Sequence, residues 1–404
     1  DANKGIIFGT GANIDSGSRI TINKNNSAVN RDVHWDKSYK TNIGVDFQVL
    51  NKRLAVSAEY YNEKNREMLM NIKQSVPSTV GTQSAAVNLG EMNSWGWELS
   101  VNWRDKIGKD FKYRIGLNTG YRDNEVLVMD WVTGNSLYRQ ITKGHRTDMG
   151  LWGMQCIGMF RSFQDINEYF DMYMKKEDGS YGTYMGMTKE QVRPGMLIYK
   201  DVRGALQENG TYAGPDHNVD EELDQVQLSN RTNPYGFTIN AGAEWKGISL
   251  TAQFGASWGG YTVVPSAALK PNGSLEYCNM PSFWNPDNMF VYQDIYDGSG
   301  NLLMEANRDA QYPNLAYSNV NAVTSSFWRV SAARVALNRL TLAYTIPSSL
   351  YKKFGINNIR VNVTGQNVLN FYNPYPDKFV NPMAGTYGSY PNLRKWTVGV
   401  NLSF

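Results

Sequence analysis

An all-β, membrane-spanning antiparallel architecture is what this 404-residue sequence predicts, and three features predict it. Period-two alternation of apolar and polar residues recurs along the chain. Many alternating runs reach about ten residues, against about five or six for a typical strand. The connections between runs are alternately very short and very long, which is the asymmetry of outer-membrane barrels. Composition agrees: 13% of residues are aromatic, with 25 Tyr and 11 Trp beside 37 Gly, a mixture that suits strands and turns.

Taken in order, Gly5 to Thr10 is a short first run. Val33 to Leu50, regular from Asn42, meets Arg53 to Met70 across the tight turn Asn51-Lys52. A loop to Val87 leads to Asn88 to Trp103, and the polar turn Arg104 to Asp110 to Phe111 to Leu127. Val128 to Asn233 is a long excursion, of a length compact soluble domains rarely carry without a function. It contains the alternating run Met149 to Phe160 and the Gly-, Asp- and Asn-rich run Asp201 to Asp224. Tyr235 to Trp245 and Ile248 to Thr262 are joined only by Lys246-Gly247, a second tight hairpin. After a loop from Val263 to about Ser326 come Phe327 to Ile346, Ile356 to Phe371 and Leu393 to Phe404, making about ten crossings in all.

The last run shows the pattern in full. Trp396, Val398, Val400, Leu402 and Phe404 face one way, while Thr397, Gly399, Asn401 and Ser403 face the other. Tyr60-Tyr61, Trp95, Trp97, Trp103, Tyr121, Trp245, Trp258 and Tyr344 fall near run ends, where the aromatic girdles of a membrane barrel belong. Alternating aromatic strands also occur in soluble sandwiches and propellers; run length and loop asymmetry favour the barrel.

Several classes are excluded or disfavoured. The 40 Lys and Arg against 37 Asp and Glu leave 40 − 37 = +3, without a basic block, so nucleic acid is not an expected partner. No stretch approaches the roughly 18 apolar residues of a transmembrane helix. Cys156 and Cys278 belong to no metal or redox spacing, and two separate thiols are expected rather than a disulfide. Asp1 to Phe8 lacks a basic region followed by an apolar core, so the chain reads as either cytosolic or shorn of its beginning. His34, His145 and His217 are scattered, and no HExxH, GxSxG, Walker or dinucleotide pattern occurs; catalysis is not expected.

An ordered set of segments resembles one family. Asn42-Ile-Gly-Val-Asp-Phe-Gln-Val-Leu-Asn-Lys-Arg-Leu with Glu59-Tyr-Tyr-Asn-Glu-Lys is followed by Asn88-Leu-Gly-Glu-Met-Asn-Ser-Trp-Gly-Trp-Glu-Leu-Ser and Asn233-Pro-Tyr-Gly-Phe. Arg334-Val-Ala-Leu-Asn-Arg-Leu-Thr-Leu-Ala-Tyr-Thr-Ile-Pro, Thr364-Gly-Gln-Asn-Val-Leu and the ending Trp396 to Phe404 complete it. Together they resemble the C-terminal half of the barrel of a SusC/RagA-type TonB-dependent outer-membrane transporter of Bacteroidetes. The resemblance implies that residues 1–404 form part of a barrel of about 22 strands with a plugged lumen. The plug domain and the N-terminal region that contacts TonB–ExbB–ExbD would then lie outside this chain. It further implies placement in outer-membrane lipid, a SusD-like surface lipoprotein as a lid, and import of oligosaccharides or peptides.

Candidate site residues follow. Tyr277, Phe283, Trp284, Tyr292, Tyr375 and Tyr387 lie in the long loops, where rings can stack on sugars or hold peptide side chains; the bland reading is that they pack the loops or meet the lid. Asp216, Asn218, Asp220 and Glu222 alternate as oxygen ligands of a Ca²⁺ loop would. Many family members carry Asp-Val-Asn-Gly-Asp-Gly-Lys-Ile-Asp there. This chain has Asp201-Val-Arg-Gly, an insertion, then Asn218-Val-Asp-Glu-Glu-Leu-Asp, with Arg203 in a ligand position and Glu221 in place of Gly. A solvated acidic loop without a cofactor is therefore the favoured reading. The terminal strand Trp396, Val398, Val400, Leu402 and Phe404 resembles the assembly signal of outer-membrane barrels. A self-contained porin or adhesin and a secreted glycan-binding β-protein remain as alternatives.

Overall fold

The computed structural model describes residues 7–8, 22–23, 30–71, 85–130, 137–141, 143–270, 280–380 and 392–404. Nine long strands form one antiparallel sheet. They are β1 (Lys37–Val49), β2 (Leu54–Asn71), β3 (Ala86–Ile107), β4 (Phe111–Val128), β5 (Tyr235–Trp245), β6 (Ile248–Trp258), β7 (Arg334–Thr345), β8 (Asn358–Tyr372) and β9 (Lys395–Ser403). Every strand pairs with its neighbour in sequence, so the sheet is a meander from β1 to β9.

The two-residue turn of β5 and β6 explains itself from sequence. Lys246 and Gly247 both have positive φ, 47° and 84°, as the primed turns that match the strand twist require. At the other end of β6, Gly259 and Gly260 turn left-handed, at 72° and 74°, and end the strand at Trp258. Tyr261–Val263 then pairs with Arg329–Ser331 outside the large sheet, so the single runs expected at Ile248 to Thr262 and Phe327 to Ile346 are each divided. The first expected crossing is also corrected. Ile7–Phe8 pairs with Ile22–Asn23 in a two-stranded sheet of its own and does not join the large one.

The chain divides into two units. The described part of the first, drawn from Asp1–Ile43, Glu59–Trp97 and Arg122–Thr147, is held by polar rungs between strands. Lys37 pairs with Glu67 at 2.7 Å, Lys40 with Glu63 at 3.2 Å and Arg66 with Glu91 at 3.3 Å, and the Asn93 amide donates to Glu125 at 2.8 Å. Solvent screens exposed pairs of this kind, so they fix strand register more than they add stability.

The second unit takes Gly44–Ala58, Glu98–Tyr121 and Asp148–Phe404. Its core lies in the loops. Met154, Phe160, Tyr184, Leu197, Tyr199, Val219 and Val320 form one buried cluster, and Val264, Leu269, Phe283, Tyr312, Ala322 and Trp328 a second. The expected run Met149 to Phe160 breaks into Leu151–Met154, paired with Gln225–Ser229, and Cys156–Met159, paired with Leu197–Tyr199. A helix follows that the alternation did not announce: α1, Phe163–Tyr169. Ser162 caps it by accepting from the Asp165 N–H, Asp165 accepts from the Ser162 hydroxyl at 2.6 Å, and Ile166 and Tyr169 bury its inner face. The Cys156 thiol is free, and Cys278 lies outside the described residues.

Candidate functional site: a two-faced wall and a packed loop layer

Strand register sorts the side chains of β5 to β9 onto two faces. Gly242, Thr251, Thr341, Thr364 and Thr397 share one cross-strand row, and Glu244, Ser249, Ala343, Asn362 and Gly399 the next. Polar side chains on this face bond across strands: Thr341 to Thr364 at 3.0 Å, Asn401 to Asn362 at 3.2 Å, Gln253 to Asn240 at 3.1 Å. On the opposite face Ala243, Leu250, Leu342, Val363 and Val398 share a row, then Trp245, Ile248, Tyr344, Val361 and Val400. Leu250, Leu342, Val363, Val398, Val400, Trp245 and Tyr344 all lie open, between 37% and 70% exposed. Water does not tolerate so continuous an apolar face; hydrocarbon does.

The aromatic residues bracket that face. At the tight-turn end stand Phe111, Tyr113, Trp245 and Tyr344, with the Trp103 indole donating to the Tyr113 hydroxyl at 3.3 Å. At the loop end Tyr121 stacks on Tyr235 at 5.6 Å, Phe237 meets Trp258 at 5.3 Å and Phe254 stacks on Phe371 at 6.3 Å. Tyr235 and Trp245 are ten residues apart on β5. Ten steps of about 3.4 Å give ~34 Å of strand. At a barrel tilt of about 40° this becomes ~26 Å, the height of an outer-membrane apolar band, ~25 Å.

In β9, Trp396, Val398, Val400 and Leu402 lie exposed on the apolar face, and Phe404, one residue beyond the strand, is 80% exposed. The Trp396 ring lies across Gly365, where a Cβ would come within 2.8 Å of it, so a larger residue there would push the ring aside.

The loop aromatics divide. Phe283 is fully buried, ringed by Trp284 at 5.1 Å, Tyr312 at 4.8 Å and Phe379 at 5.3 Å. Trp284 donates its indole N–H to the Ala268 carbonyl at 2.8 Å, and Tyr375 packs edge-on against Phe379. These three build the loop layer. Tyr292 is half-buried, with the Arg308 guanidinium 4.4 Å above its ring and Phe163 against its edge at 5.5 Å. Tyr277 and Tyr387 lie outside the described residues.

The acidic run folds on itself. Asp216 accepts from the Asn218 N–H at 2.9 Å, and Asp220 from the Glu222 and Leu223 N–H groups at 2.7 and 2.8 Å. Asn218 accepts from the Thr183 N–H at 3.0 Å. Oxygens offered as Ca²⁺ ligands thus serve backbone donors, as Asx turns do. Among the described residues no group of three or more His, Cys, Asp or Glu side chains is placed to hold a metal ion. The two ends of the run are buried carboxylates, Asp201 and Asp224, to which the sequence assigned no separate role. Asp224 accepts from the Val202, Arg203 and Asp220 N–H groups at 2.7, 3.1 and 2.9 Å. Asp201 accepts from the His217 N–H at 2.7 Å. Burial pushes the Asp201 carboxyl up to about 6, and the neighbouring charges of Asp224 and Asp216 add to that, against the His217 hydrogen bond.

A sheet with one bonded polar face and one open apolar face bracketed by aromatics is the wall of a membrane β-barrel. Solved structures and curated sequences agree. The RagAB peptide importer in its closed-closed state superposes with a TM-score of 0.63 at 20% identity, over 93% of this chain and 36% of that one. The RagAB peptide transporter matches with a TM-score of 0.62 at 18% identity, over 100% of this chain and 39% of that one. The fold is that of part of this barrel.

No family model matches the chain. TonB-dependent receptor P3 of Formosa agariphila is 24% identical over 395 residues, covering 93% of this chain and 35% of the receptor. TonB-dependent receptor SusC of Bacteroides thetaiotaomicron is 27% identical over 124 residues, covering 30% of this chain and 12% of SusC. The similarity to SusC/RagA-type TonB-dependent receptors read from the ordered motifs is borne out. The chain spans about a third of the length of the curated relatives that match it throughout.

Proposed function

We propose that this chain forms the wall and extracellular loops of a TonB-dependent outer-membrane importer that takes up oligosaccharides or peptides. The observation that carries the reading is the two-faced sheet. Its apolar face fits the hydrocarbon of the membrane and its polar face fits an aqueous path. The packed loop layer, with Tyr292 and Arg308 at its surface, supports a role in solute capture, because rings and guanidinium groups hold sugars and peptides alike. A SusD-like lipoprotein over those loops is the proposed lid. Energy would come from TonB–ExbB–ExbD acting on the plug of the longer protein, opening a passage along the polar face. No catalytic step and no cofactor are assigned to this chain.

The test is the denatured intact mass of every polypeptide in a detergent-extracted outer-membrane preparation containing this sequence. A covalent extension or a tightly held second chain bearing a plug, with a co-purifying lipoprotein, supports the importer. A polypeptide confined to these residues, extracted only by detergent and without a lipoprotein, would favour a self-contained porin or adhesin. Recovery without detergent would favour a secreted binding protein.

A further inference from the structure

At the tight-turn end of the polar face, β3 to β6 and β8 enclose a recess of about 680 Å³. Its charge is lopsided. Arg53, Arg104, Lys106, Lys112, Arg114 and Arg360 line it, against Asp105 and Glu244 alone. Both carboxylates are already engaged, Asp105 by Arg53 at 3.0 Å and Glu244 by Lys112 at 3.7 Å. Arg104, Lys106, Arg114 and Arg360 therefore have no carboxylate in ion-pair contact among the described residues.

Neutral groups hold the guanidinium groups in place. Arg104 donates to the Lys52 carbonyl at 2.9 Å, and Arg360 reaches over β7 to donate to the Ser249 hydroxyl at 2.8 Å. Arg114 stands opposite Gly242 and lies across it; a Cβ there would come within 2.8 Å of its Nε. The glycine leaves the room the arginine occupies. Ser249 and Thr251 add hydroxyl donors to the same lining. A guanidinium bonded to a neutral acceptor keeps its charge and several N–H donors for a ligand, and the planar fork matches a carboxylate or sulfate oxyanion. A concave surface lined by one sign of charge focuses its field on that ligand.

We infer that this recess binds the anionic groups of solutes, a carboxylate or sulfate ester on an acidic oligomer, as a station on the path along the polar face. The inference rests on the import reading for its passing solute, and on the recess alone for its anion chemistry.

Crystals of the intact protein soaked in sodium selenate test it, because selenium scatters anomalously. Selenate is expected within hydrogen-bond reach of Arg114 and Arg360, displaced by excess tetraglutamate and retained in excess tetraglutamine. The Arg114→Gln/Arg360→Gln protein is expected to show none. Should that variant fail to fold, Arg114→Lys/Arg360→Lys decides: it keeps the charge but loses the forks, and roughly tenfold weaker selenate binding is expected. An unoccupied recess, selenate insensitive to tetraglutamate, equal binding by the lysine pair, or an acidic side chain from elsewhere in the polypeptide in its place overturns the inference. Selenate occupancy does not depend on transport. A filled recess in a protein that imports nothing would defeat the import reading and leave the anion site standing.

Discussion

Phe283 and Tyr292 show what residue type conceals and position decides. Both are loop aromatics of the kind that meets ligands, yet one has no exposed surface and the other carries a guanidinium on an accessible ring. Phe283→Ala should destabilise the loop layer by about 3–5 kcal/mol, the usual cost of emptying an aromatic site. Tyr292→Ala should cost under about 1 kcal/mol. Hydrogen exchange of the loop amides measures both. Asp201 gives a pH dependence with a definite sign. Its carboxyl rises from an ordinary 3.8 to about 6, so between those values the folded loop binds more protons than the unfolded one. Loop stability therefore falls as pH rises through that window, and protection of the His217 amide, corrected for intrinsic rate, should be greater at pH 5 than at pH 7.5. In Asp201→Asn the difference should shrink. None of this was legible in sequence: Asp201 and Asp224 read as members of a solvated run, because an acidic stretch does not itself tell a carboxylate turned into the fold from one left in solvent.

The strands are where sequence spoke most plainly. Tyr235–Trp245 and the start of β6 at Ile248 fall where alternation and the Lys246-Gly247 turn put them. Each face of a strand meets one environment throughout, so period two survives in the residue order. The loop layer has no such regularity. Met154 packs in a cluster with Val320, and Phe283 with Trp328, contacts that no local pattern encodes. The one signal for α1 was the Ser162 cap with Asp165 three residues on. At this scale Gly247→Val is a clean test. It forces a branched side chain to φ of 84° and sets its Cβ 2.9 Å from the Thr345 carbonyl. A loss of at least about 1–2 kcal/mol is expected in urea unfolding of the lipid-reconstituted protein. Deleting Phe404 should leave the sheet of β1 to β9 formable but lower the outer-membrane level severalfold, read by immunoblot of membrane fractions. Normal levels would remove the assembly role.

At the scale of the whole molecule, one face of this sheet is expected to meet lipid and the other an aqueous interior. The polar face was readable as the complement of the apolar one, but its basic recess was not, since Arg104, Arg114 and Arg360 come from three separate strands. The most direct measurement is a spin-label scan of residues 396 to 403 in the intact protein reconstituted into liposomes. Collision with oxygen should peak at 396, 398, 400 and 402, and collision with a water-soluble nickel complex at 397, 399, 401 and 403. Uniform access to the nickel complex at all eight positions would contradict the membrane wall, and with it the importer.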